Sequence, residues 1–221
     1  MTASLTIENL RLEYPDALLF DDIHLSVQPG SLIVFETNVL DGATSLLKGI
    51  GGMLSNIDGH VWLNDIDLLR ADAHQRARHV GFVYEEHGLI SLYNVFQNIG
   101  LPLEFHTNLL ADEMASKVFN IVDRLRIDRE LLDKQPHELN DVQTRMVNLA
   151  RALIIEPNLL LIDELEGGMP DDMIDWTMEM LLERTRATQT VTLITSSHEH
   201  ILREADRVLK IENCQLSERQ T

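Results

Sequence analysis

Where an apolar strand runs into a helix, the stretch Phe35-Glu36-Thr37-Asn38-Val39-Leu40-Asp41-Gly42-Ala43-Thr44-Ser45-Leu46-Leu47 has the length and placement of a phosphate-binding loop. Such a loop binds anions by curling successive backbone N–H groups into a concave nest, which requires residues that tolerate positive φ. The pattern GxxxxGK[ST] calls for glycine, glycine, lysine and a hydroxyl residue at places that here read Thr37, Gly42, Ala43 and Thr44. Only Gly42 and Thr44 match. Ala43 removes the ammonium that would reach the β and γ phosphates, and Val39 and Leu40 tolerate positive φ poorly. Glu36 and Asp41 add carboxylates where a triphosphate needs positive potential. Each charge-assisted hydrogen bond lost is worth about 1.5–3 kcal/mol. Lys48, the nearest lysine, lies about one helical turn beyond Thr44 and is expected to point along the helix rather than into the loop. Taken alone, the same residues suit an ordinary strand–turn–helix connection equally well.

The elements that must position these residues follow from periodicity. Residues 4–13 and 22–28 alternate apolar and polar positions, with turn chemistry at Tyr14-Pro15-Asp16 and Gln28-Pro29-Gly30, so the chain opens as antiparallel β. Leu32-Ile33-Val34-Phe35 is a continuous apolar run suited to a strand buried on both faces, and Thr44 to Ile50 reads as the helix that follows it. Gly59 to Leu63 and Val80 to Tyr84 are further strands, after which helix period takes over to roughly residue 135. Ala111 to Arg126 and Val142 to Leu153 each carry one apolar face. Leu159-Leu160-Leu161-Ile162 is a buried strand ending in Asp163-Glu164, Met173 to Arg186 a helix, Val191 to Ile194 another strand, and Val208 to Glu212 a final short one. Strands alternating with helices predict a mostly parallel α/β core with a helical insertion.

Composition narrows the function. Of 221 residues 44% are apolar, ample for a buried core. Eighteen basic against 36 acidic residues leave a net charge of −18, which argues against nucleic-acid binding and against direct adhesion to anionic lipid. Any membrane association should therefore run through a protein partner. The one cysteine, Cys214, allows no internal disulfide and fits a reducing compartment. The segment Met1 to Asn9 does not read as a secretory signal, and no apolar run is long enough to span a membrane. The nine histidines are scattered, and His198 and His200 make no ligand spacing with other residues, so no structural metal is expected.

Taken in order, the pieces resemble the nucleotide-binding subunit of an ATP-binding-cassette (ABC) transporter over essentially the full length. The loop position at 37–44 is followed by Phe82-Val83-Tyr84-Glu85, where the family has a strand ending in the Q-loop glutamine. His137-Glu138-Leu139-Asn140-Asp141-Val142-Gln143 falls at the LSGGQ signature and leads into Asn148-Leu149-Ala150-Arg151-Ala152-Leu153, close to the family's helix. Glu156-Pro157-Asn158-Leu159-Leu160-Leu161-Ile162-Asp163-Glu164 is a well-formed Walker B segment, and Thr195-Ser196-Ser197-His198 reaches the switch-histidine position. Within the superfamily, Leu46-Leu47-Lys48-Gly49-Ile50-Gly51-Gly52, Asn94-Val95-Phe96-Gln97-Asn98 and Leu101-Pro102-Leu103-Glu104-Phe105-His106-Thr107 look most like the ATPases of Mla/MCE-type phospholipid transport systems.

The resemblance implies a P-loop NTPase-like fold: one domain over 1–221 with an N-terminal antiparallel β-subdomain, a mostly parallel core sheet and a helical subdomain inserted at about 90–150. It makes Tyr14, Thr37, Gly42, Ala43, Thr44, Ser45, Glu85 and Asp163 a degenerate ATP/Mg²⁺ site, with Glu164 and His198 as vestigial catalytic residues. Tyr14 could stack adenine or simply pack a turn. The bland alternative for Asp163, Glu164 and His198 is a strand cap and a satisfied loop histidine. In the signature loop, Leu139, Asn140, Asp141, Val142 and Gln143 put a carboxylate where the family presents a hydroxyl and glycine N–H groups to phosphate. The expectation is a pseudo-ATPase with no tightly bound cofactor, ATP and Mg²⁺ being the only candidates. It would lie on the cytoplasmic face of a membrane, engage a permease through Glu85 to Pro102, and pair with a second ATPase subunit or itself. A divergent working ATPase and a scaffold unrelated to transport remain the alternatives.

Overall fold

The computed structural model describes residues 4–37, 42–84 and 88–219. Two sheets carry the architecture. Strands β1 (Leu5–Tyr14), β2 (Ala17–Val27), β4 (Ile57–Leu63) and β5 (Ile66–Asp67) form an antiparallel sheet in the order β2-β1-β4-β5. A six-stranded sheet has the order β10-β9-β3-β8-β7-β6, built from β3 (Leu32–Glu36), β6 (Val80–Val83), β7 (Leu159–Asp163), β8 (Val191–Ser196), β9 (Arg207–Glu212) and β10 (Gln215–Glu218). All its pairings are parallel except β9 with β10.

The strands that read as continuous apolar runs are the central ones. Every residue of β7 and β8 is buried, as is Leu32 to Phe35 in β3, because helices or the second sheet cover both faces. Helix α1 (Ala43–Ile50) follows β3, and α2 (Ala73–His79) precedes β6. Next come α3 (Val95–His106), α4 (Ala111–Arg124) and, after two short 3₁₀ turns, α5 (Asp141–Leu153). Ile99 and Leu103 from α3, Val118 and Val122 from α4, and Val147 and Leu149 from α5 are buried in one cluster that continues onto Val34, Val83, Leu160 and Ile162 of the sheet. The helical region is thus bolted to one face of the core. α6 (Asp171–Thr188) and α7 (Glu199–Glu204) complete the chain order.

The C-terminal ends of β3, β8 and β7 lie side by side, Glu36 opposite Ser196 and Thr195 opposite Asp163. These ends lie at one edge of the sheet, where open α/β sheets bind ligands. One expectation fails here: Val208 to Glu212 is not the last strand. The chain reverses at Asn213 and Cys214, with φ of 51° and 64°, and returns as β10. Two consecutive left-handed residues are the two-residue turn that matches strand twist, and the usual Asn-Gly signal is absent because cysteine stands in the glycine's place.

Candidate functional site

α1 starts at Gly42, whose φ of 86° is the left-handed value that the second glycine of a phosphate loop requires. Leu46 and Leu47 bury the inner face of α1, which leaves Thr44 and Lys48, one turn apart, on a common side. That side faces the end of β7. The Thr44 hydroxyl donates to Asp163 Oδ1 at 2.9 Å, and the Thr195 hydroxyl from β8 donates to the same oxygen at 2.8 Å. Lys48 Nζ lies 3.9 Å from Asp163 Oδ2. The lysine therefore does not run along the helix as expected, because one turn of rise carries its stem over the strand end rather than past it. Asp163 itself is completely buried.

Glu164, the next residue, takes a left-handed φ of 48°, uncommon for a side chain of its size. Its N–H is fastened to the Thr195 hydroxyl at 3.0 Å, and its carbonyl accepts from the buried guanidinium of Arg145 in α5. His198 stands after β8 with Nε2 3.5 Å from Asp171 Oδ1 and Nδ1 buried without a hydrogen bond among the described residues. The switch-loop backbone is braced by Glu166, which accepts from the Ser196 hydroxyl at 2.6 Å and from the Ser197 N–H at 3.2 Å. Glu166 and Arg145 are constellation members that sequence reasoning missed, and Thr195, quoted only within the switch-histidine run, was given no part in holding Asp163. No motif announces these contacts, and only the register of β7 against β8 and the packing of α5 bring them about.

Elsewhere at this edge, Thr37 continues the β3 ladder by donating its N–H to Ser196 O at 3.0 Å, and Ser45 is half-buried on α1. Glu36 is not a bare carboxylate as expected: Arg219 Nε lies 3.7 Å from Oε2. Glu199 and Glu36 hold that guanidinium above its ordinary pKa. Tyr14 ends β1 at the hairpin, 38% exposed. The same hairpin's Leu19 would touch a side chain built at Gly42, so it overhangs the start of α1. The expectations for Val39, Leu40, Asp41 and Glu85 fall outside the described residues.

The signature positions form the first turn of α5. Asn140 Oδ1 accepts from the Gln143 N–H at 2.8 Å, and Gln143 Oε1 accepts from the Asn140 N–H at 3.0 Å, a reciprocal capping box. Asp141 is exposed at the positive end of the helix, where a carboxylate is favourable, while Leu139 and Val142 pack partly against the core. A helix start is preserved, but its open end presents negative charge.

The sequence profile of the ABC transporter family matches residues 20–166, and the chain belongs to that family. It is 30% identical over 211 residues to the sulfate/thiosulfate import ATP-binding protein CysA of Nitrosomonas europaea, covering 93% of this chain and 57% of the relative. Against the lipoprotein-releasing system ATP-binding protein LolD of Pseudomonas syringae pv. tomato it is 26% identical, covering 98% of both. The dimeric ATP-binding cassette MJ0796 bound to ADP and phosphate superposes with a TM-score of 0.91 over 98% of each chain at 18% identity, which establishes the ABC ATPase fold.

The family implies ATP with Mg²⁺. Thr44 and Asp163 are oxygen donors of the right kind for such a cation. However, an ammonium already faces the Asp163 oxygen that the two threonines leave open, and Ala43 offers no cation to a phosphate. The described residues do not fit a Mg²⁺–triphosphate. Among them no group of three or more His, Cys, Asp or Glu could hold a metal, and no helix is long and apolar enough to cross a membrane.

Proposed function

We propose that this chain is a pseudo-ATPase subunit of a membrane transport complex, of the Mla/MCE-type lipid-transporting kind, contributing shape or regulation rather than hydrolysis. The observation that carries this is the paired loss at both faces of the site: alanine where the loop needs its lysine, and Asp141 and Val142 at the first turn of α5. Phosphoryl transfer depends on orientation and charge neutralisation, so Glu164 and His198 without a positioned phosphate have nothing to act on. In this family each nucleotide lies between one subunit's phosphate loop and the other's signature loop. A chain carrying both defects would therefore spoil both sites of a pair with an intact partner, and any dimer should be insensitive to ATP.

The LolD relative, of a lipoprotein-releasing system, is consistent with lipid-linked cargo. A permease would dock through Glu85 to Pro102. There Asn98, fully buried, clamps the 90–94 loop through four hydrogen bonds to Ile90, Tyr93 and Asn94. Leu92 is thereby held out, 86% exposed. A cleft of about 470 Å³ adjoins this segment, lined by Met53, Arg76, Tyr84, Pro102, Phe105 and Arg151. Apolar walls with guanidinium groups suit an amphipathic segment bearing a carboxylate. Burial, with His74 and Arg78 adding to it, holds the cleft's His106 below its ordinary pKa.

A divergent active ATPase is the second reading, favoured by the arrival of Lys48 within the site. Calorimetry with Mg-ATP on the purified chain separates the two. Weak or absent binding is expected, and micromolar affinity would refute the pseudo-ATPase.

A further inference from the structure

We propose that Lys48 is the resident counter-ion of Asp163 and holds, as part of the chain, the place that a divalent cation would take beside this carboxylate. Lys48 can play this part only in a site that does not turn over ATP, the reading proposed above.

A carboxylate as buried as that of Asp163, whose side chain is 1% exposed, keeps its charge only if something compensates it. Compensation comes unequally to its two oxygens. Oδ1 accepts both threonine hydroxyls, whereas Oδ2 is buried and, among the described residues, accepts no hydrogen bond and is faced by the Lys48 ammonium at 3.9 Å. The pairing follows from helix geometry. Thr44 and Lys48 are four residues apart on α1, so hydroxyl and ammonium approach one carboxylate from successive turns, while Leu46, Leu47 and Ile50 pin the helix to the core. The ammonium absent at position 43 thus reappears five residues on, one turn past Thr44, aimed at the carboxylate instead of at a phosphate.

A divalent ion placed on Oδ2 would need a close shell of oxygen ligands and would sit against the ammonium. Like charges in so poorly hydrated a place repel strongly, so metal and lysine exclude each other. Lys48 is 39% exposed along its side chain, however, and it can be replaced without opening the core.

The test uses Mn²⁺ alone, with no nucleotide, on the full chain, so that its outcome is independent of ATP affinity. Free Mn²⁺ is followed by paramagnetic resonance, and binding lost on Asp163→Asn is counted as the site, which removes diffuse attraction to a chain of net charge −18. Wild type and Lys48→Arg should show no such site at millimolar Mn²⁺. Lys48→Gln should gain one, at least tenfold tighter than wild type, that disappears in Lys48→Gln/Asp163→Asn. If Lys48→Gln melts early, Lys48→Met is read by the same criteria. An Asp163-dependent Mn²⁺ site already present in wild type or Lys48→Arg, or a folded Lys48→Gln or Lys48→Met that gains none, overturns the proposal. Tight Mg-ATP binding together with the predicted Mn²⁺ pattern would instead refute the pseudo-ATPase and leave the Lys48–Asp163 pairing standing.

Discussion

At the end of β7, Asp163 is held by hydroxyls contributed from 119 and 32 residues away in sequence, and it is buried. At the start of α5, Asn140 and Gln143 hold each other across three residues, with Asn140 exposed. The family resemblance gives both positions to nucleotide binding, yet one is built from tertiary contacts and the other from a local cap. A cap can exchange one side chain for another while the helix still starts in the same place, because any residue that accepts from the third N–H serves. A buried carboxylate has no such freedom, since everything around it is arranged to balance its charge. The signature should therefore be able to change its side chains without disturbing the fold, whereas replacing Asp163 should cost the fold whether or not it serves chemistry. The well-formed strand end at Asp163 is then no argument for hydrolysis.

That contrast breaks if the two places respond alike to mutation. The largest effect is expected for Asp163→Ala, which strands two hydroxyls and an ammonium and should cost about 2–3 kcal/mol in urea denaturation. Asp163→Asn keeps an acceptor for both threonines and should recover roughly half of that. A cost below that of the cap mutant would show that the carboxylate is not structural.

Arg145 is the tie between the two regions, reaching from α5 to the Glu164 carbonyl and excluding any side chain at Gly167. Arg145→Ala should cost about 2 kcal/mol and lower the thermal midpoint accordingly. The smallest effect belongs to Asn140→Ala, about 1 kcal/mol for a lost N-cap. Combined with Asp163→Ala it should add within roughly 0.5 kcal/mol, as independent sites do. Strong coupling in that double-mutant cycle would mean that the cap and the carboxylate belong to one network after all.

Legibility in sequence follows the same division. The strands at 32–35, 159–162 and 191–194 were readable because burial on both faces leaves an unbroken apolar run. The helix at 111–124 was readable because Val118, Ile121 and Val122 mark one face. α2 was not, since none of its residues is buried and its sequence carries no apolar period. α7, six residues long, is too short to show one.

For the site itself, residue identities and their order along the chain were enough to set the family resemblance and to read alanine at 43 and Asn140-Asp141-Val142 at the positions where that resemblance expects lysine and the signature. These are properties of single positions, and a substitution is visible without knowing what surrounds it. The sequence could not show where Lys48 points, that Arg219 stands beside Glu36, or that Thr195 and Thr44 share one oxygen of Asp163. Those facts depend on how β3, β7 and β8 align and on how α1 lies across their ends. Burial of Asp163 among elements distant in sequence decided them, because a charge removed from water must be answered by whichever groups the packing brings within reach.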